Sequence, residues 1–131
     1  MKKSGILNRE INSFISTLGH KDYLTVTDTG LPLPSNVPIA DMCLTLGTPT
    51  IEEVLKALAE DIVVEGIIIA EEVKTESPEQ VGIYEKIFPG VPISYLPDLE
   101  FIDETAKSRG VIRTGGLAHY SSVILIAGIT Y

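Results

Sequence analysis

The 131 residues are 44% hydrophobic and 21% charged, which gives enough apolar surface for one packed core and excludes a disordered or low-complexity chain. Eighteen acidic against ten basic residues leave a net charge of −8, which excludes a nucleic-acid backbone as partner, since phosphate binding needs clustered lysine and arginine. A single cysteine, Cys43, excludes an intrachain disulfide, and no apolar run approaches the roughly 20 residues of a membrane span.

Met1-Lys2-Lys3 has the charge of a signal-peptide start, but Ser4, Gly5, Asn8 and Arg9 break the apolar stretch that should follow, so the expected compartment is the cytoplasm. Asn8 can cap a first helix in which Ile11, Phe14, Ile15 and Leu18 recur at i, i+3, i+4 and i+7, and Gly19 fits its left-handed stop. His20 then falls just beyond the helix's negative end, where the dipole favours an imidazolium. Residues 23–28 alternate Leu24 and Val26 with Thr25 and Thr27, the pattern of a half-buried strand, and Gly30-Leu31-Pro32 turns the chain after Asp28. A second strand is expected over 42–46, which places Cys43 in the core. Thr48-Pro49 opens a helix striped with Ile51, Val54, Leu55, Leu58 and Ala59.

The β-branched run over 62–70, interrupted at Glu65-Gly66, suits a strand covered on both faces. Ser77-Pro78-Glu79-Gln80 is a capping-box-like opening for a helix that buries Val81, Tyr84, Ile87 and Phe88. A strand over 91–96 follows, then a helix capped by Asp98 and stopped by Gly110, and last the strands 111–113 and 122–126. This alternation predicts a single α/β domain of three layers, a mainly parallel sheet with helices on both faces. Ligands bind such sheets beyond the carboxyl ends of strands. Asp28, Asp98 and the Arg113-Thr114-Gly115-Gly116 turn all follow strands and are candidates to meet there.

No GxxxxGK[ST] or GxGxxG loop follows a strand, no GxSxG elbow occurs, and the two histidines lack ligand spacing. No cofactor and no metal site are therefore expected, which leaves acid–base chemistry by side chains. Each group also has a plainer reading. His20 can be a surface histidine, Asp28 a turn former, Asp98 a helix cap and Tyr120 an ordinary core or loop residue. Glu71-Glu72 reads first as a solvated helix or loop start, and second as paired carboxylates.

The whole chain resembles the D-ribose pyranase family, whose relatives include the L-fucose mutarotases. The matching segments are residues 1–8, Leu18-Gly19-His20-Lys21-Asp22, Asp28-Thr29-Gly30-Leu31-Pro32-Leu33-Pro34, Ala70-Glu71-Glu72-Val73-Lys74 and Val111-Ile112-Arg113-Thr114-Gly115, together with Tyr120. The resemblance implies a cofactor-independent isomerase that interconverts ring forms of a free monosaccharide, with D-ribose the first candidate. It implies His20 as proton donor and Asp28, Asp98 and Tyr120-Ser121-Ser122 as sugar-binding residues. Two positions depart from the family pattern: Asp98 stands where a histidine is usual, and Ser122 where an asparagine is. An ionised Asp98 only accepts hydrogen bonds, and Ser122 is shorter with fewer donors, so both bear on which sugar is preferred. The alternatives are a mutarotase for L-fucose or another monosaccharide, a non-catalytic sugar-binding protein, and a structural oligomer without a ligand. The resemblance also implies a ring-shaped homo-oligomer, commonly a decamer, in which residues around Tyr120 serve a neighbouring subunit's His20. The apolar residues 123–126 suit burial at such an interface, and equally an ordinary core.

Overall fold

The start of the first helix follows from its cap. In the computed structural model, which describes residues 1–131, α1 (Arg9–Ser16) begins where the Asn8 side chain accepts a hydrogen bond from the Ile11 amide at 2.9 Å. It ends earlier than the glycine position predicts. Thr17 closes it, with its amide and hydroxyl both donating to the Phe14 carbonyl. The left-handed residue of the next turn is Lys21 (φ 72°), not Gly19. That turn is held by two 2.8 Å bonds, from the Gly19 amide to the Asp22 carboxylate and from the Lys21 amide to the Ala127 carbonyl. His20 thus lies a full turn past the helix, out of reach of its dipole.

The strands are β1 (Tyr23–Thr27), β2 (Ile39–Asp41), β3 (Val64–Ala70), β4 (Ile93–Leu96), β5 (Gly110–Arg113) and β6 (Val123–Ala127). They form one sheet in the order β2-β5-β1-β6-β3-β4. All are parallel except β6, which pairs antiparallel with both β1 and β3. Alternate residues serve alternate faces. On one face Leu24, Val26, Ile67, Ile69, Val123 and Leu125 join α1, α2 (Ile51–Asp61), the short α3 (Val73–Glu76) and α4 (Glu79–Ile87) in the main core. On the other face Ile68, Ala70 and Ile124 pack on Phe101 of α5 (Asp98–Thr105) in a second, smaller cluster. Helices flank both faces as expected, four on one and α5 alone on the other. Residues 123–125 are core, buried inside the chain. No helix is long and apolar enough to cross a membrane.

The second strand departs from expectation. It covers Ile39–Asp41, and after one more rung, from the Met42 amide to the Arg113 carbonyl, the chain leaves the sheet. The cause is its partner, because β5 itself stops at Arg113. There the chain folds back on the 45–49 loop, with Gly47 donating to the Gly115 carbonyl at 2.7 Å and Gly115 donating to the Pro49 carbonyl at 2.8 Å. Cys43 is consequently a half-buried loop residue beside the exposed Leu44 and Leu46, not core. The two later caps also differ. Pro78 and Pro97 occupy the N-cap positions of α4 and α5 and offer no capping side chain. Asp98 is the first residue of its helix, which frees its carboxylate from capping.

Candidate functional site

The carboxyl ends of β1, β4 and β5 open onto one edge of the sheet, and the reversed direction of β6 brings the residues before it, including Tyr120, to the same edge. There a cavity of about 370 Å³ is lined by Asp28, Asp98, His119 and Tyr120, with Leu31 and Ile102 among its apolar walls. Asp28 is fixed from both sides. Its amide donates to Ser122 Oγ at 2.9 Å, and its Oδ1 accepts from the Gly30 and Leu31 amides, both at 3.0 Å. This Asx turn occupies one carboxylate oxygen and leaves Oδ2 without an intramolecular partner.

The neighbouring turn is built around Thr114, whose hydroxyl donates to the Thr27 carbonyl at 2.7 Å and accepts from the Gly116 amide at 3.0 Å. Gly115 is required by close approach: a Cβ there would sit 2.5 Å from the Thr48 nitrogen. Tyr120 holds a left-handed backbone (φ 58°), a conformation costly for a bulky residue. Bonds on either side of it pin the segment. Ser121 Oγ donates to the Ala118 carbonyl at 2.7 Å, and the buried Tyr84 hydroxyl of α4 donates to the Ser121 carbonyl at 2.6 Å.

Asp98 owes its place to Glu72. Because Pro97 cannot cap α5, the Glu72 carboxylate accepts the Asp98 amide with both oxygens, at 3.2 and 3.1 Å. The second of the two adjacent glutamates is therefore a structural anchor. Burial, the Glu72 charge and the Asp28 charge, in that order, hold the Asp98 carboxyl above its ordinary pKa.

The residues implied as the site thus divide into three groups. Asp28, Asp98 and Tyr120 face one cavity. Ser121 and Ser122 do not line it; both are buried behind it, where Ser122 supports Asp28 and Ser121 supports the Tyr120 segment. His20 is elsewhere. It precedes β1 while Asp28 follows it, and five residues of strand at about 3.3 Å each separate the two ends by roughly 16 Å or more. Within one chain Asp28 cannot orient His20. The carboxylate that does meet it is Glu65, whose Oε2 lies 2.8 Å from His20 Nε2. His119 and Ile102 were not singled out as site residues by the sequence, and Leu31 was read only as part of the turn and of a family-like segment. Glu65 did carry a signal, as the charge that interrupts an apolar strand.

Chemically, the cavity offers two acceptor carboxylates, a phenol able to donate or accept and an imidazole, over apolar walls. That set matches a small, neutral, polyhydroxylated ligand, whose hydroxyls can donate to the carboxylates and stay paired when buried.

Comparison with known proteins gives the same outline over the full length. The family model of RbsD / FucU transport proteins matches residues 1–130. The D-ribose pyranase of Pseudothermotoga lettingae is 44% identical, covering 100% of this chain and 94% of that protein. That of Halalkalibacterium halodurans is 42% identical with both chains fully covered. Among solved structures, Bacillus subtilis RbsD complexed with D-ribose superposes with a TM-score of 0.95 at 37% identity, covering 100% of each chain. The Streptococcus pneumoniae fucose mutarotase in complex with L-fucose superposes at 0.82 with 19% identity and 95% coverage of each chain, a likeness of fold.

Proposed function

The chain belongs to the RbsD / FucU transport protein family, and we propose that it is a D-ribose pyranase, an isomerase that interconverts the pyranose and furanose forms of free ribose. The observation that carries this reading is the convergence of Asp28, Asp98 and Tyr120 on one cavity, in a chain alike over its whole length to D-ribose pyranases. The reaction opens a cyclic hemiacetal. A proton must reach the ring oxygen as its bond to the anomeric carbon breaks, and the anomeric hydroxyl must lose one. Closure through a different hydroxyl then gives the other ring size. Asp28 Oδ2 and Asp98 accept sugar hydroxyls, and Tyr120 contributes its phenol.

His20 supplies the ring-oxygen proton, a role in which a positioned imidazole is worth about 10²–10⁴-fold near neutral pH. Because His20 and Asp28 lie at opposite ends of β1, the complete site is formed between subunits of a homo-oligomer, with His20 of one subunit reaching the cavity of its neighbour. A decamer is the assembly proposed. Exchange spectroscopy by NMR between the ribose ring forms tests the reading, with L-fucose and other monosaccharides as comparison. Added protein is expected to accelerate exchange of ribose, and His20→Ala to remove at least 10²-fold of that acceleration. Exchange that survives His20→Ala would sink the role given to His20, and acceleration of fucose but not ribose would move the substrate.

A further inference from the structure

The cavity that holds Asp28, Asp98 and Tyr120 is rich in acceptors and poor in donors. From that imbalance we propose that His119 is a further sugar-binding residue, which donates a hydrogen bond to the 2- or 3-hydroxyl of ribose and so selects for sugars that carry it. This rests on ribose being the ligand of the cavity. Two of the lining residues come from α5, where Asp98 and Ile102 stand four apart and share one face. That face brings a carboxylate and an aliphatic group, and no side-chain donor. Asp28, just after β1, brings a second carboxylate. No lysine or arginine lines the cavity, so His119 is its one basic side chain.

The other donors on these walls are already used. The Thr29 amide and hydroxyl both donate to the Gly116 carbonyl, at 2.9 and 2.7 Å. Asp28 Oδ1 takes the Gly30 and Leu31 amides, and Thr114 Oγ1 takes the Gly116 amide. Pro32 has no amide hydrogen. Among the lining side chains, the His119 ring and the Tyr120 hydroxyl keep donors that no other group of the chain accepts. A sugar needs them. Each of its hydroxyls carries one hydrogen and two lone pairs, so a hydroxyl that donates to Asp28 or Asp98 still has lone pairs to fill. The His119 ring carries at least one N–H whether neutral or protonated, and so donates in either state.

The turn that carries His119 is fixed while its ring is not. The Ser121 hydroxyl donates to the Ala118 carbonyl at 2.7 Å and Tyr120 holds its left-handed backbone, so the residues on both sides are pinned. The ring itself is exposed on the cavity rim and has no intramolecular partner. Its target follows from the chemistry of ribose. The furanose closes through the 4-hydroxyl and the pyranose through the 5-hydroxyl, whereas the 2- and 3-hydroxyls take no part in either closure. A bond to one of these is made equally in the ground state and the transition state, so it raises affinity and leaves turnover alone.

The experiment titrates the assembled protein and its His119→Ala, His119→Asn and His119→Gln variants calorimetrically with ribose, 2-deoxyribose and 3-deoxyribose, and measures ribose exchange by NMR beside it. His119→Ala is expected to weaken ribose binding by about 3–10-fold, the worth of one hydrogen bond, with exchange at saturating ribose within about 2-fold of the parent. The Asn or the Gln variant, whose side-chain amide keeps a donor, should recover part of that loss. The parent should bind ribose more tightly than the deoxy sugar that lacks the contacted hydroxyl, and His119→Ala should close that one gap. Ribose affinity unchanged in His119→Ala would overturn the inference. So would an equal loss for all three sugars, the mark of a ring that only shapes the turn. Ribose bound but not exchanged by the parent would defeat the isomerase reading alone, and the titrations would still decide His119. No ribose binding by the parent would overturn both.

Discussion

Asp98 is the residue at which the cavity's electrostatics can be read most directly. A carboxyl raised above its ordinary value of 3.8 by burial, Glu72 and Asp28 binds its proton more tightly in the native state than in the unfolded one. The sign follows from linkage: this contribution to stability is fully present below 3.8 and is lost as pH rises through the higher folded value. Asp98→Asn cannot ionise and escapes that loss. Thermal melts across pH are therefore expected to place Asp98→Asn above the parent near neutral pH, with the difference closing below about pH 4. A difference that grew on acidification would reverse the reading. The same substitution replaces an acceptor with an amide that also donates, so ribose affinity should change in the same variant. The raised carboxyl was not legible in the sequence, where Asp98 read locally as a helix cap before a ligand. Pro97 takes the cap position, and Glu72, twenty-six residues away, takes the helix amide.

At the scale of elements, the periodic stripes were readable because burial acts on patterns within one segment. Ile51, Val54, Leu55 and Leu58 are the buried face of α2, and Leu24 and Val26 the apolar face of β1, which is not half-buried as expected, because Thr25 and Thr27 on its other face are fully buried too. What a segment alone does not carry is where its partner stops, so the strand expected over 42–46 gave way to a loop. The same limit hid the role of α4. Its Tyr84 was read as one apolar position of a helix stripe, yet it carries a polar function between elements. The hydroxyl is buried, burial raises its pKa, and it spans from Gln80 to the Ser121 carbonyl beside the strained Tyr120. Tyr84→Phe keeps the packing and leaves a buried carbonyl unpaired, a loss of about 1–3 kcal/mol. Urea unfolding should show this as a lower midpoint at an unchanged slope. Ribose exchange should fall as well, because the Ser121 carbonyl is where the Tyr84 hydroxyl of α4 hydrogen-bonds the segment next to Tyr120. Loss of stability with full activity would separate the two.

The whole molecule turns on the length of one strand. Near neighbours in sequence, His20 and Asp28 look like a pair. A strand carries them apart instead, at roughly 3.3 Å per residue, to opposite edges of the sheet. The sequence was sufficient for the fold class. Local reading of the residues did not show that the strand's extension sets His20 and Asp28 at opposite ends of one subunit; only the resemblance implied a site shared between subunits. If the complete site takes His20 from one subunit and the Asp28 cavity from the next, two inactive proteins should repair each other. Co-expressing His20→Ala with Asp28→Ala under two tags, and purifying through both, gives mixed rings. At random equal mixing each boundary has one chance in two of an intact His20 and one in two of an intact Asp28, so about a quarter of sites are whole in a closed ring of identical interfaces. Ribose exchange should recover to about that fraction of the parent rate, while each variant alone stays inactive. A site contained in one subunit predicts no recovery at any ratio, since every chain then carries one lesion of its own.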